Sequence, residues 1–146
     1  MTFNIRWRMR LLTSLILLLL GVAIYALFRD EVLFLLPLKE YLPATISLQS
    51  GLWSGILVYN LPDALWFASL LLLQPNPFAS EPRGNVITIA ALALPFALEG
   101  LQAAKIIPGT FDWLDILFYM ITLLIFIIKW KKENDYLQAA SSSLVV

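Results

Sequence analysis

Between Leu11 and Phe28 the chain runs for eighteen residues without a charge (LLTSLILLLLGVAIYALF), directly after Arg6, Arg8 and Arg10. At 1.5 Å rise per residue a helix of that length reaches about 27 Å, close to the roughly 30 Å hydrocarbon core of a bilayer. The run is longer than the core of a typical cleaved signal peptide and no clear A-x-A site follows it, so it reads as a retained anchor. Composition agrees: 60% of the 146 residues are hydrophobic and 14% are charged, whereas about a quarter of a soluble domain is charged. The absence of cysteine excludes disulfides and thiolate metal sites. The absence of histidine removes a Ser-His-Asp triad, a His-ligated metal and the usual proton shuttle at neutral pH.

Three further apolar segments follow. Residues 52–74 (LWSGILVYNLPDALWFASLLLLQ) are interrupted by Pro62. Pro62 lacks a donor and clashes with the preceding turn, so a kink or a fresh helix start is expected there, with Asn60 as its N-cap. The third segment covers 85–104 with Pro95 near its middle, and the fourth covers 111–128. Pro108-Gly109-Thr110 reads as a turn followed by an N-cap at Thr110. Trp113 and Trp130 stand near the two ends of the last segment, as interfacial aromatics do. Residues 29–51, with Lys39, Glu40 and two prolines, could lie along the membrane surface. Residues 133–146 read as a mobile tail. The expected architecture is all-α: one transmembrane domain over 1–146, a membrane-spanning four-helix bundle with spans at 11–28, 52–74, 85–104 and 111–128 and a kinked or broken second helix.

Four crossings put both termini on one side. That side carries Arg6, Arg8, Arg10, Arg83, Lys129, Lys131 and Lys132; the other carries Arg29, Lys39 and Lys105. Seven basic residues against three place both termini in the cytoplasm by the positive-inside rule. In that orientation Asp63, Glu99, Gln102, Asp112 and Asp115 all fall in the outer leaflet. Asn60/Asp63, Glu99/Gln102 and Asp112/Asp115 are i,i+3 pairs, each on one helix face, and Tyr119 with Thr122 extends the last face inward. An acid at the centre of a membrane helix costs about 2.5–3.5 kcal/mol on insertion scales. The polar groups are therefore expected to face inward around an outward-open pocket.

Each residue also has a plainer explanation. Asp112 and Asp115 open a helix, where negative charge meets the positive end of the dipole, and Asp63 could be a first-turn acid as well. Glu99 lacks that explanation, since it lies near a helix C-terminus. Lys105 could snorkel towards it. Trp53 and Trp66 read as packing or interfacial anchors. Several clustered carboxylates must be hydrated, protonated or matched by a cation. A hard divalent ion such as Mg²⁺ or Ca²⁺, an amine on a substrate or lipid headgroup, and a carboxyl acting as general acid or base all remain open.

Glu99-Gly-Leu-Gln102, followed by Pro108-Gly109-Thr110-Phe111-Asp112-Trp113-Leu114-Asp115 at the start of the last span, resembles the C-terminal half of VanZ-like membrane proteins. That family's pattern has a Glu and Gln three apart, a short loop and an Asp in the next helix, matched here by Glu99, Gln102 and Asp115; Asp63 stands near the family's earlier acidic position. The chain departs from the pattern after Asp63, where Ala64, Leu65 and Trp66 replace a basic residue and a histidine. It departs again at Thr110, where the family often has Arg, and after Asp115, where Tyr119 and apolar neighbours replace an Asn and a Gly. The resemblance implies a small multi-span protein of a bacterial inner membrane, whose acidic pocket either binds an envelope component or both binds and modifies it. The other classes are a structural or assembly subunit that contacts a membrane-protein partner or another copy of itself, and a cation- or proton-coupled transporter. Nucleic-acid binding has no support, because the few basic residues flank membrane segments.

Overall fold

The computed structural model describes residues 2–29, 41, 46, 51–78 and 85–142. Among these, every regular element is helical: α1 Thr2–Phe28, α2 Leu52–Gly55, a π-helical turn Ile56–Asn60, α3 Leu61–Leu73, α4 Asn85–Ala103 and α5 Trp113–Ser142. Four stretches are long and apolar enough to cross a membrane: Trp7–Phe28, Trp53–Leu73, Val86–Ala103 and Trp113–Ala140. The protein is an all-helical integral membrane protein. It divides into two compact units, Met1–Leu72 and Leu73–Val146.

In the first unit the second crossing is one helix carried through Pro62 by a widened turn. Leu61 donates its N–H to the Ile56 carbonyl, five residues back. A π turn relieves the crowding that a proline imposes on the turn before it. The expected fresh start does not occur, and Asn60 is not an N-cap: it closes the π turn and is 2% exposed. Three contacts set α1 antiparallel to this helix. The Ser14 hydroxyl donates to the Ser69 carbonyl oxygen (3.0 Å) and meets the Ser69 hydroxyl at 2.9 Å. Since Ser14 has a single hydroxyl hydrogen, Ser69 is the donor in the second contact. Two turns on, Gly21 lies against Pro62: a Cβ at Gly21 would stand 3.2 Å from the Pro62 carbonyl oxygen and 3.7 Å from its Cα. One turn further, Tyr25 donates its hydroxyl to the Asp63 carboxylate. Small residues and side-chain hydrogen bonds hold membrane helices together, since the lipid tails surrounding them are as apolar as leucine.

In the second unit α4 buries Thr88, Ala91, Pro95 and Glu99, which fall on one helical face, and α5 buries Asp115, Tyr119, Phe126 and Trp130 on another. The Thr88 hydroxyl finds no hydrogen-bond partner among the described residues. At 30 residues α5 is about 45 Å long, well beyond a bilayer core. It continues past the expected boundary at residue 128, so residues 133–142 are helical; 143–146 lie outside the described residues. The run Lys129 to Tyr136 contains no proline or glycine to stop it. Trp130 is 2% exposed rather than interfacial, with its ring edge-on to Phe126 at 5.7 Å. Its carbonyl oxygen accepts the Asn76 side-chain N–H (2.8 Å), and the Asn76 Oδ1 accepts the Phe78 N–H in a local turn. Trp113, by contrast, is 76% exposed. The surface piece expected over 29–51 falls mostly outside the described residues.

Candidate functional site: the acidic turn between α4 and α5

The connection from α4 to α5 is built by three local devices. The first ends α4. Lys105 takes a left-handed backbone (φ 57°), its N–H donates to the Gln102 carbonyl, and the Ile106 N–H donates to the Leu101 carbonyl. This pair of bonds is a Schellman motif, which usually places glycine where Lys105 stands. The second device is Gly109, at φ 136°. A Cβ there would come within 2.7 Å of the Gln102 side-chain Cδ and Nε2. Gln102 therefore folds back against the turn, and only glycine leaves room for it.

The third device starts α5. The expected cap, Thr110, is exposed and precedes the helix; Asp112 is the N-cap, its Oδ1 accepting the Leu114 N–H at 2.8 Å. The Asp112 N–H in turn donates to Glu99 Oε2 at 3.3 Å. A capping box would fill that position from within α5, using the residue three past the cap. Here the residue three past the cap is Asp115, and a carboxylate from α4 takes the role. Glu99 thus lies near the unfavourable C-terminal end of its own helix and at the favourable N-terminal end of the next. A second helix supplies the electrostatic compensation that α4 alone withholds.

Glu99 is 5% exposed and Asp115 9% exposed. Tyr119, one turn beyond Asp115, is buried and meets the Phe96 ring edge-on at 5.8 Å. Around this turn Glu99 meets the Asp112 N–H, Gln102 packs against Gly109, and Asp115 and Tyr119 lie on the buried face of α5. Asp63 belongs to the first unit, where Tyr25 is its partner. Lys105 is exposed, and its backbone rather than its charge shapes the turn. Among the described residues no three acidic side chains form a group that could hold a metal ion.

Two contacts had no place in the sequence analysis: the Phe96 ring against Tyr119 beside the turn, and Tyr25 as the partner of Asp63 in the first unit. Tyr25 stands at the polar end of the first apolar run, which was the available signal. Phe96 carried none, being one aromatic in an apolar segment.

The turn makes a paired prediction. Lys105→Gly should stabilise the protein by about 1 kcal/mol, because glycine adopts the left-handed region without the penalty an L side chain meets. Gly109→Ala should destabilise it by about 1–3 kcal/mol, through its positive φ and the displaced Gln102. Thermal unfolding of both variants in detergent should move in opposite directions; shifts of the same sign would contradict the assignment.

No family model, curated protein or solved structure matches the chain.

Proposed function

We propose that the acidic turn between α4 and α5 holds an amine-bearing component of the cell envelope, such as a lipid headgroup, at the outer face of a bacterial inner membrane, as the VanZ-like resemblance implies. The observation that carries this reading is the burial of two carboxylates, Glu99 and Asp115, near the adjoining ends of consecutive membrane helices. At a helix centre an acid costs roughly 2.5–3.5 kcal/mol on insertion scales, and near a helix end less. The N-terminus of α5 offsets part of that cost, about 0.3–2 kcal/mol. A bound cation offsets more. Two carboxylates suit one ammonium group better than a divalent ion that wants six or more oxygens.

The test is lipid retention by the full chain purified in detergent, read by native mass spectrometry. Phosphatidylethanolamine should be retained in preference to phosphatidylglycerol of the same acyl chains. Equal retention of the two would sink the amine reading. The orientation is tested separately. The chain has no cysteine, so Ala104→Cys and Ala139→Cys each introduce a single thiol at an exposed position. An impermeant thiol reagent on intact cells should label Ala104→Cys alone; labelling of Ala139→Cys alone would invert the topology.

A second reading has its own observation. Glu99 already accepts a backbone N–H of the next helix, which is what a structural tie between two spans requires. On that reading the protein is an assembly subunit, and substitutions at Glu99 lower stability without any headgroup preference being lost.

A further inference from the structure

The first unit carries a polar assembly that the acidic turn does not involve. Arg29 directly follows the last residue of α1, one turn after Tyr25. Its guanidinium carbon lies 4.8 Å from the centre of the Tyr25 ring and 5.1 Å from the centre of the Tyr59 ring, which comes from the π turn. Tyr25 is itself fixed, because its hydroxyl donates to the Asp63 carboxylate. The guanidinium is thus held by rings from two different helical segments rather than swinging on a flexible stem.

This arrangement has a chemical consequence. Tyrosine rings attract a cation through their π faces and take up none of its N–H donors. Arg29 is half-buried, and among the described residues the contacts of its guanidinium are with these rings. Among the described residues no acceptor meets its fork of donors, and a fork of this geometry suits the paired oxygens of a phosphate. Depth supplies the source. Arg29 is the first residue beyond the apolar span Trp7–Phe28, at the level where a bilayer changes from acyl chains to headgroups. The exposed aromatics Tyr59 and Trp53 mark the same end of the second crossing. We propose that Arg29, oriented by Tyr25 and Tyr59, is a recognition site for the phosphate of a membrane phospholipid. The site stands apart from the acidic turn, and neither proposal depends on the other.

The experiment uses the purified full chain and native mass spectrometry. The probes are phosphatidylglycerol and a diacylglycerol with the same acyl chains but no phosphate. Phosphatidylglycerol should be retained and the diacylglycerol lost. Arg29→Gln should weaken phosphatidylglycerol retention about tenfold or more, the usual worth of a charged hydrogen bond. Arg29→Lys keeps the charge and the ring contact, so it serves as the folded control and should recover only part of the retention, because an ammonium lacks the fork. Wild-type retention in both variants would overturn the site. Full recovery in Arg29→Lys would overturn the forked geometry. Displacement of the lipid by millimolar inorganic phosphate would assign the site to the free anion and overturn the lipid assignment.

Discussion

Glu99→Gln is expected to abolish the preference for an amine-bearing headgroup while leaving the helices in place. Glutamine keeps the size of glutamate and a carbonyl oxygen that can still accept the Asp112 N–H, so the tie between α4 and α5 survives the substitution. The negative charge does not survive it. Hydrogen bonds to charged groups contribute about 1.5–3 kcal/mol, which is roughly a ten- to hundredfold change in affinity. Asp112→Asn is the internal control. Asparagine caps a helix about as well as aspartate, and Asp112 is less buried than Glu99, so that variant should retain the headgroup as the wild type does. Native mass spectrometry and thermal unfolding on the same preparations separate the two readings of the turn. Loss of preference at unchanged unfolding temperature supports recognition. Unchanged preference, or an equal fall in stability for both variants, makes Glu99 a structural tie.

Gly21→Leu is expected to have the largest effect on stability of any single substitution in the first unit. The atom facing Gly21 is the backbone carbonyl oxygen of Pro62, 3.2 Å from where a Cβ would stand. A backbone atom in a membrane helix cannot turn aside as a side chain does, so a leucine must push α1 away from α3. Overpacking of this kind costs about 1–3 kcal/mol and sometimes more. The displacement would also strain the Ser14–Ser69 and Tyr25–Asp63 hydrogen bonds on either side. Gly100→Ala supplies the contrast, since a Cβ at Gly100 meets nothing within 4 Å. Alanine there should be neutral or stabilising by about 0.5–1 kcal/mol. Unfolding temperatures in one detergent would check the pair; a Gly21→Leu protein as stable as wild type would remove the close approach from the account.

The four crossings were legible because lipid imposes a simple rule: about twenty apolar residues per span, wherever they lie in the chain. The acids were legible for the complementary reason, since a carboxylate inside such a run stands out against its neighbours. The misplacements have other causes. Thr110 was chosen as a cap from its local sequence, but the helix starts at Trp113 with Asp112 as its cap, and the Asp112 N–H donates to Glu99 from α4. Asn60 looked like a cap because a proline two residues on suggests a helix start, and nothing local distinguishes a break from a widened turn. Trp130 was placed at an interface by its type, while its burial depends on Phe126 and on the turn at Asn76. Two of the errors fell where a partner distant in sequence decided the outcome: Glu99 for Thr110 and Asn76 for Trp130. The tie of Tyr25 to Asp63, thirty-eight residues away, was likewise not visible in advance.

The π turn at Ile56–Asn60 makes the second crossing one residue out of phase with itself. An α-helix advances 100° per residue, so a turn that absorbs one extra residue indexes the two halves of the span to different directions around a common axis. Trp53, on one side of the turn, and Asp63, on the other, owe their relative bearing to that single surplus residue. A one-residue deletion between 56 and 60 would return an unbroken α-helix and swing Trp53 by about 100°, with no change of amino acid on either side. The phase of the span is stored as chain length, and length is the variable through which it can be reset.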